Sequence, residues 1–448
     1  MAFASGTKVS TSQVTRAAAT LLLHSLYIAL YFSVYDVYFS PLYGYLGFTS
    51  YSTSSAELFT ALICLYAPLM FLPVRIRRFS HFFIWFFFII VYTPLQITVA
   101  RVGTLPHGSE GLSLLLLASL FLIRLISAST QFSLPRLREL GFLSSAKFIV
   151  FLSITALSLT IIQFHSIMRL VALEDVYSQR SASTDLSVSR LSGYLLNWLV
   201  FVFSPILLAL SFKHKKLSFA LLASFLCLAV YMVNGSKIAL IALFMPFVLH
   251  RLLAWGLLRR PFLFILFPMI FLLPPILLVV VFETEFDGIL KIAVSQFSMR
   301  ALGIQAVAFT QYVQFFEENP HTYFSHVTGI NLFVNYPFQG PLGRVVGYWA
   351  SGNELFSANS NFWASDGIAA AGYIGLPLIG VLVGLLLSFL DALVKSADVR
   401  FVIISSAPFL LTAANTPIFT AMVTGGGLLI FVFCQYLGKP SHRTPFAP

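Results

Sequence analysis

Long apolar runs separated by short polar punctuation make up most of the chain. A bilayer core about 30 Å thick is crossed by about 20 consecutive apolar helical residues. Twelve segments meet that description, at 17–39, 57–74, 80–100, 111–130, 148–168, 192–212, 217–233, 238–255, 262–282, 367–394, 401–416 and 417–437. Only Asn415-Thr416-Pro417 separates the last two, so their ends are the least sharply marked. The pattern predicts an all-α polytopic membrane protein with about twelve transmembrane helices, forming a single integral membrane domain over residues 1–448.

Composition agrees with the pattern and narrows it. The chain is 58% apolar and 10% charged, with a mean hydropathy of +0.89. Soluble domains carry about 45–50% apolar and about 25% charged residues, so a soluble enzyme is excluded. The low charge content of 10% also excludes a disordered or low-complexity chain. Cys64, Cys227 and Cys434 lie singly inside apolar runs, which excludes a disulfide framework and a zinc cluster.

A net charge of +11 would suggest nucleic acid in a soluble protein. Here its distribution decides otherwise. The stretch before Arg16 is rich in Ser, Thr and Ala and lacks the apolar core of a cleaved signal peptide. It reads as a cytoplasmic tail, with the first span serving as the targeting signal. With that terminus inside, 19 of the 27 basic residues fall on the cytoplasmic side, among them Arg75, Arg77, Arg78, Lys213, Lys215, Lys216, Lys395 and Arg400. The excess is the one expected of cytoplasmic loops, so no nucleic-acid partner is implied. The outer side holds Arg101, Arg169, Arg180, Arg190, Lys237, Lys291, Arg300 and Arg344. Neither a tandem repeat nor a similarity between halves is evident. This weighs against a secondary transporter, where inverted repeats are common.

Two outer loops are long, 169–191 and 283–366. Loops beyond about 12–15 residues are usually functional or disordered, and aromatic and aliphatic residues run through both of these. In the second, residues 294–316 carry apolar side chains at near-helical spacing, which predicts amphipathic helices lying on or dipping into the membrane. Chemistry is therefore expected on the outer face.

Outward arginines break the charge rule, and a guanidinium fork suits phosphate oxygens. Arg169, Arg180, Arg300 and Arg344, flanked by Tyr312, Tyr323 and Trp349, suit a substrate with a diphosphate and sugar rings. Ion pairs with Glu174, Asp175 or Glu317, or lipid head groups, are the plainer alternatives. Lys237 in Asn234-Gly235-Ser236-Lys237 either adds a point charge for phosphate or simply snorkels. His326 reads as a general base or as a structural hydrogen-bonding group. Asp366 reads as a group that deprotonates an acceptor hydroxyl, or as a cap for the helix it begins. Asn359 and Asn361 bind sugar hydroxyls or cap. The Glu283, Glu285 and Asp287 cluster reads as a solvated cap rather than a metal site. The first outer loop, 41–56, has no acid, whereas many polyprenyl-phosphate-dependent membrane glycosyltransferases carry an acidic motif there with a divalent metal; a metal-independent mechanism is expected, with no cofactor.

At these loops the chain resembles the Wzy-type O-antigen polymerases. The resemblance rests on Asp175-Val176-Tyr177-Ser178-Gln179-Arg180, then Gly193-Tyr194-Leu195-Leu196-Asn197-Trp198 and Asn234-Gly235-Ser236-Lys237. It continues with Arg300, Tyr312, Phe316, Asn319-Pro320, Ser325-His326, Asn359 to Phe362, Asp366-Gly367 and Gly372-Tyr373-Ile374-Gly375, so that it covers about residues 170 to 380. The resemblance implies a GT-C-like glycosyltransferase of the bacterial inner membrane with a periplasmic active site. It implies polymerisation of undecaprenyl-diphosphate-linked oligosaccharides, with Arg180, Arg300, His326 and Asp366 catalytic and Arg169, Lys237, Tyr312, Tyr323, Arg344, Asn359 and Asn361 binding substrate. A separate chain-length regulator and membrane lipids are the implied partners. The related ligases carry a histidine where this chain has Asn361 and Asp366, which leaves the base unassigned. An O-antigen ligase and a lipid-linked-oligosaccharide flippase are the alternatives.

Overall fold

The computed structural model describes residues 11–103, 105, 108–134, 145–171, 175–186, 189–282, 294, 298–327 and 329–439. Among them every regular element is helical. In chain order these are α1 (Val14–Leu46), the shorter α2 (Ser55–Met70), α3 (Phe79–Arg101), α4 (Ser109–Ser129), α5 (Ala146–Phe164), the surface helix α6 (Val176–Asp185), α7 (Leu191–His214), α8 (Leu217–Asn234), α9 (Lys237–Ala254), α10 (Pro261–Val279), α11 (Ile304–Glu318), α12 (Leu342–Ser351) and α13 (Trp363–Leu393). Four short pieces follow: α14 (Val399–Ser405), α15 (Ala407–Ala413), α16 (Ile418–Val423) and α17 (Gly427–Leu437). Nine of the described helices are long and apolar enough to cross a membrane, namely α1, α3, α4, α5, α7, α8, α9, α10 and α13. The protein is a helical, multi-pass membrane protein. Leu22, Phe59, Phe151, Ile162, Leu221 and Phe244 are exposed around the outside, apolar surface that only lipid would cover.

These nine correspond to nine of the twelve apolar segments. The segment at 57–74 is shorter than its hydropathy suggests. It starts sharply, because Ser54 Oγ accepts from Glu57 N (3.2 Å) while Glu57 Oε2 accepts from Ser54 N (2.8 Å). It ends early, because Pro68 sits in a tight 3₁₀ turn at Ala67–Met70. The two last segments are each divided, by Ser406 and by the break at 424–426.

Hydrogen bonds between helix ends define two sides. Asp391 at the end of α13 accepts from Ser80 N (2.9 Å) at the start of α3 and pairs with Arg78 (3.3 Å). Lys213 Nζ at the end of α7 donates to Leu437 O and Lys439 O beyond α17. Ile76 N donates to Leu258 O. This side therefore gathers Arg75, Arg77, Arg78, Lys213, Arg259, Lys395 and Lys439. On the other side Arg101 pairs with Asp36 at 2.6 Å, and Arg169 N donates to Met232 O at 3.2 Å.

Three spans widen into π turns, at Tyr35–Phe39, Phe88–Tyr92 and Leu199–Phe203. Each is followed by Ser-Pro or Thr-Pro: Ser40-Pro41, Thr93-Pro94 and Ser204-Pro205. A proline has no N–H and its ring clashes with the carbonyl four residues back. Widening the turn by one residue relieves that clash without breaking the helix. At Thr93 the hydroxyl also donates to Phe88 O at 2.9 Å, satisfying a carbonyl inside the membrane.

Small residues bring α4 and α13 together. A Cβ on Gly380 would lie 2.7 Å from Ser119 Oγ, and one on Gly384 would lie 2.7 Å from Ile126 Cβ. Ser119 Oγ donates to Leu376 O (2.7 Å) and Ser388 Oγ to Thr130 O (3.1 Å). Close backbone approach with interhelical hydrogen bonds is how helices associate where no hydrophobic effect drives them.

Candidate functional site

The site is built on three interruptions of regular helix. The first is α11. Rather than lying on a surface, it is buried on all sides along 305–313, as a helix inside a bundle must be. The π turn before it, Met299–Gly303, packs beside Phe88–Tyr92 at the midpoint of α3. Tyr31 Oη donates to Leu302 O (3.3 Å), and Gln311 Nε2 donates to Leu46 O (3.1 Å). Part of the second long loop thus packs inside the helical bundle; its spacing predicted an amphipathic helix on or in the membrane, and the helix formed is buried all round by protein.

The second interruption divides α13. Ala371 and Gly372 leave helical geometry, Gly372 with φ +61°. Residues 363–370 then fold back on the rest of α13. Gly367 and Gly375, about 12 Å apart along a continuous helix, instead touch so closely that a Cβ on Gly375 would overlap Gly367 O. The carbonyls ending this short limb are taken by the chain after α11. Thr322 N donates to Ala369 O (2.7 Å) and Tyr323 N to Ala370 O (3.1 Å). Making this cap puts Tyr323 (φ +47°) and Phe324 (φ +63°) in the left-handed region, at a cost of order 1–3 kcal/mol each. The result is to turn His326 inward.

His326 and Asp366 meet at the centre. Their side chains are 5% and 2% exposed, with Nε2 and Oδ1 3.4 Å apart. Thr322 Oγ1 donates to Ala369 O (3.0 Å) and lies 2.7 Å from His326 Nδ1. The hydroxyl has one proton and places it on Ala369, so Nδ1 donates to Thr322; this assignment follows from the network. A neutral ring would then present an unprotonated Nε2 to a carboxylate, acceptor against acceptor. That arrangement leaves the pair poised to take up one proton between Nε2 and Oδ1. Asp366 does not cap its own helix, whose N-cap is Phe362. Its Oδ2 instead accepts from Ile418 N at 3.2 Å, at the start of α16.

That contact belongs to the third interruption, the turn between α15 and α16. Asn415 Oδ1 accepts from Gln305 Nε2 (2.8 Å), which also reaches Arg300 O (3.2 Å). Arg300 is therefore linked to Asp366 through Gln305 and the turn at 415–418. Asn361 Nδ2 donates to Tyr312 Oη at 2.9 Å. Burial, reinforced by the Asp366 carboxylate, pushes the Tyr312 phenol well above its ordinary value, so it acts as a neutral hydrogen-bonding group. Five buried polar atoms in this neighbourhood have no partner: Gln305 Oε1, His326 Nε2, Asn361 Oδ1, Trp363 Nε1 and Ser365 Oγ. An unsatisfied buried polar atom costs about 1–3 kcal/mol. Several together mark a place suited to a polar ligand.

The other predicted residues stand elsewhere. Arg169 Nε donates to Gln179 Oε1 (2.9 Å), and Gln179 Nε2 donates to Ile167 O (2.7 Å) and Met232 O (2.9 Å). This clamps α6, with the exposed Arg180, over the turn between α8 and α9, where Val176 lies against Gly235. Lys237, half-buried, begins α9 at the same turn. Arg300 and Arg344 are exposed, the latter on α12. Tyr323 is 64% exposed, whereas the pair is buried. Asn359 is exposed with its side chain against Gly343. Glu174, Lys291 and the Glu283, Glu285 and Asp287 cluster lie outside the described residues.

Comparison with family models, with curated proteins and with solved structures finds no match to this chain. The site stands on its geometry. Sequence reading had singled out Tyr312, His326, Asn361 and Asp366 but not Thr322, Gln305 or Asn415. The four-residue spacing of Thr322 and His326 and the Asn415-Thr416-Pro417 break were the available signals.

Proposed function

We propose that this protein is a membrane glycosyltransferase that polymerises undecaprenyl-diphosphate-linked oligosaccharide repeat units at the periplasmic face of the bacterial inner membrane. The observation that carries the reading is the buried His326–Asp366 pair, surrounded by unpartnered polar atoms. In this reading the basic side of the bundle is cytoplasmic, and the short helices complete twelve passes of a GT-C-like fold. The pair lies near the opposite, outer end of α13.

An acceptor hydroxyl attacks the anomeric carbon of the growing chain. The new C–O bond forms as the bond from that carbon to the diphosphate oxygen breaks, and its electron pair leaves with undecaprenyl diphosphate. The hydroxyl proton passes to the His326–Asp366 pair, a general-base role that contributes typically 10²–10⁴-fold. The free polar atoms of Asn361, Ser365 and Gln305 hold sugar hydroxyls and align acceptor with donor. Arg300, assisted by Arg180, Lys237 and Arg344 along the substrate, offsets the charge of the departing diphosphate. No metal is needed, and a chain-length regulator binds alongside.

The test is reconstitution of purified protein with a lipid-diphosphate-linked repeat unit, read as a ladder on a gel. A ladder formed without metal, with release of undecaprenyl diphosphate, supports the polymerase. Transfer only onto added lipid A core makes it a ligase instead. Within this assay Arg300→Lys is expected to shorten or abolish the ladder, since an ammonium does not replace a bidentate fork. Wild-type chain length in that variant removes Arg300 from the mechanism.

A second reading has an observation of its own. Interrupted helices meeting at a buried ionisable pair are also how transporters build sites within the membrane. Movement of the lipid-linked unit between leaflets, with no glycosidic bond formed, would favour that reading.

A further inference from the structure

A cavity of about 300 Å³ opens on the basic side, away from the site above, between the start of α3 and the ends of α4 and α13. That volume would hold about ten waters. Arg77, Arg78, Thr130, Gln131, Asp391 and Lys395 supply its polar wall.

Its charge is unbalanced. Among the described residues Asp391 is the single acid of the lining, and its carboxylate is already engaged: Oδ1 accepts from Ser80 N, and Oδ2 accepts from Ser80 Oγ and faces Arg78 Nε. Arg77 and Lys395 are exposed at the rim. Arg124, one turn from the end of α4, donates through Nε to Phe71 O, while its buried Nη1 has no partner. The neighbouring acid, Asp398, is spent capping Arg400 N (2.8 Å). The cavity thus offers positive charge to an anion.

The position of the cavity selects the anion. Phe132 forms part of the lining and is 41% exposed, its ring edge-on to Phe389 at 6.2 Å. Leu125 on α4 and Leu378 and Leu382 on α13 are also exposed along the two helices that lead to the cavity. A ligand with a phosphate at one end and acyl chains at the other fits both surfaces. We propose that this cavity binds the phosphate head group of an anionic phospholipid of the leaflet on the basic side, with its acyl chains lying along α4 and α13.

The full chain, purified and placed in vesicles of phosphatidylglycerol or of phosphatidylcholine, tests this by native mass spectrometry and thermal melting. Wild-type protein is expected to retain phosphatidylglycerol and to melt higher in its presence. The double variant Arg77→Gln/Lys395→Gln leaves the Arg78–Asp391–Ser80 contacts in place. Each basic residue near an anionic surface is worth about fivefold in binding, so retention should fall by about tenfold or more, with the melt in phosphatidylcholine unchanged. Gln131→Glu, a single change at an exposed rim position, should lower retention as well and serves if the double variant does not fold. Undiminished retention in these variants overturns the proposal. So does equal stabilisation by inorganic phosphate alone, which would make this a free-anion site.

Discussion

Asp366→Asn is expected to abolish the polymer ladder while the purified protein keeps its helical content and nearly its wild-type melting temperature. The amide oxygen still accepts from Ile418 N, so α16 stays docked. What disappears is the carboxylate that, with His326 3.4 Å away, takes up the acceptor's proton. Loss of a general base costs typically 10²–10⁴-fold in rate, enough to erase a ladder. Asp366→Ala provides the contrast. It strands both His326 and Ile418 N, and removing one member of a buried pair costs about 3–5 kcal/mol, so this variant should lose stability together with activity. A full-length ladder from Asp366→Asn would remove the pair from the chemistry and leave it as a structural pin.

The second large effect is expected at the fold in α13. Gly375→Ala should sharply lower the yield of monodisperse protein, because its single added carbon would overlap Gly367 O. Backbone, unlike a flexible side chain, does not swing aside. The cost is at least the 1–3 kcal/mol typical of overpacking, and about 3 kcal/mol or more here. Gly111→Ala in α4 is the control, since nothing lies within 4 Å of its added carbon. That change should be neutral or stabilising by about 0.4–1 kcal/mol, measured as the shift in thermal melting. If both alanine variants melt alike, the hairpin at 371–372 is not a tight contact.

Hydropathy revealed the class of the protein and nine of its spans because crossing a bilayer is a property of local sequence. For the remainder hydropathy does not decide, for a physical reason: an apolar run is also compatible with a helix that stops halfway. Whether it stops depends on hydrogen-bond partners supplied from elsewhere. Asn415, at the turn between α15 and α16, finds Gln305, 110 residues earlier in the chain. The site was legible one residue at a time. His326 and Asp366 each carried a catalytic and a plain reading, and no spacing rule joined residues 40 positions apart. Their meeting depends on the reversal at Ala371 and Gly372, where Gly372 takes φ +61°. The glycines at 367, 372 and 375 were visible, but not the fold-back they permit. The outward arginines were visible through the charge rule, which places them by side and not by depth; Arg300 proves to lie beside the midpoint of α3.

The Pro-linked π turns have a bearing on how these helices are mapped. Each one carries an extra residue within its helix, and one residue is a rotation of about 100°. A scan of Phe79–Arg101 in uniform steps therefore stays in phase only as far as Phe88–Tyr92, after which each position belongs to a face about a quarter-turn from the one assigned. Deleting a single residue within such a turn would restore an ordinary ladder and leave every later side chain of that span facing its present neighbour. In α3, the stretch so kept in place would be Thr93–Arg101, the wall against which α11 is packed.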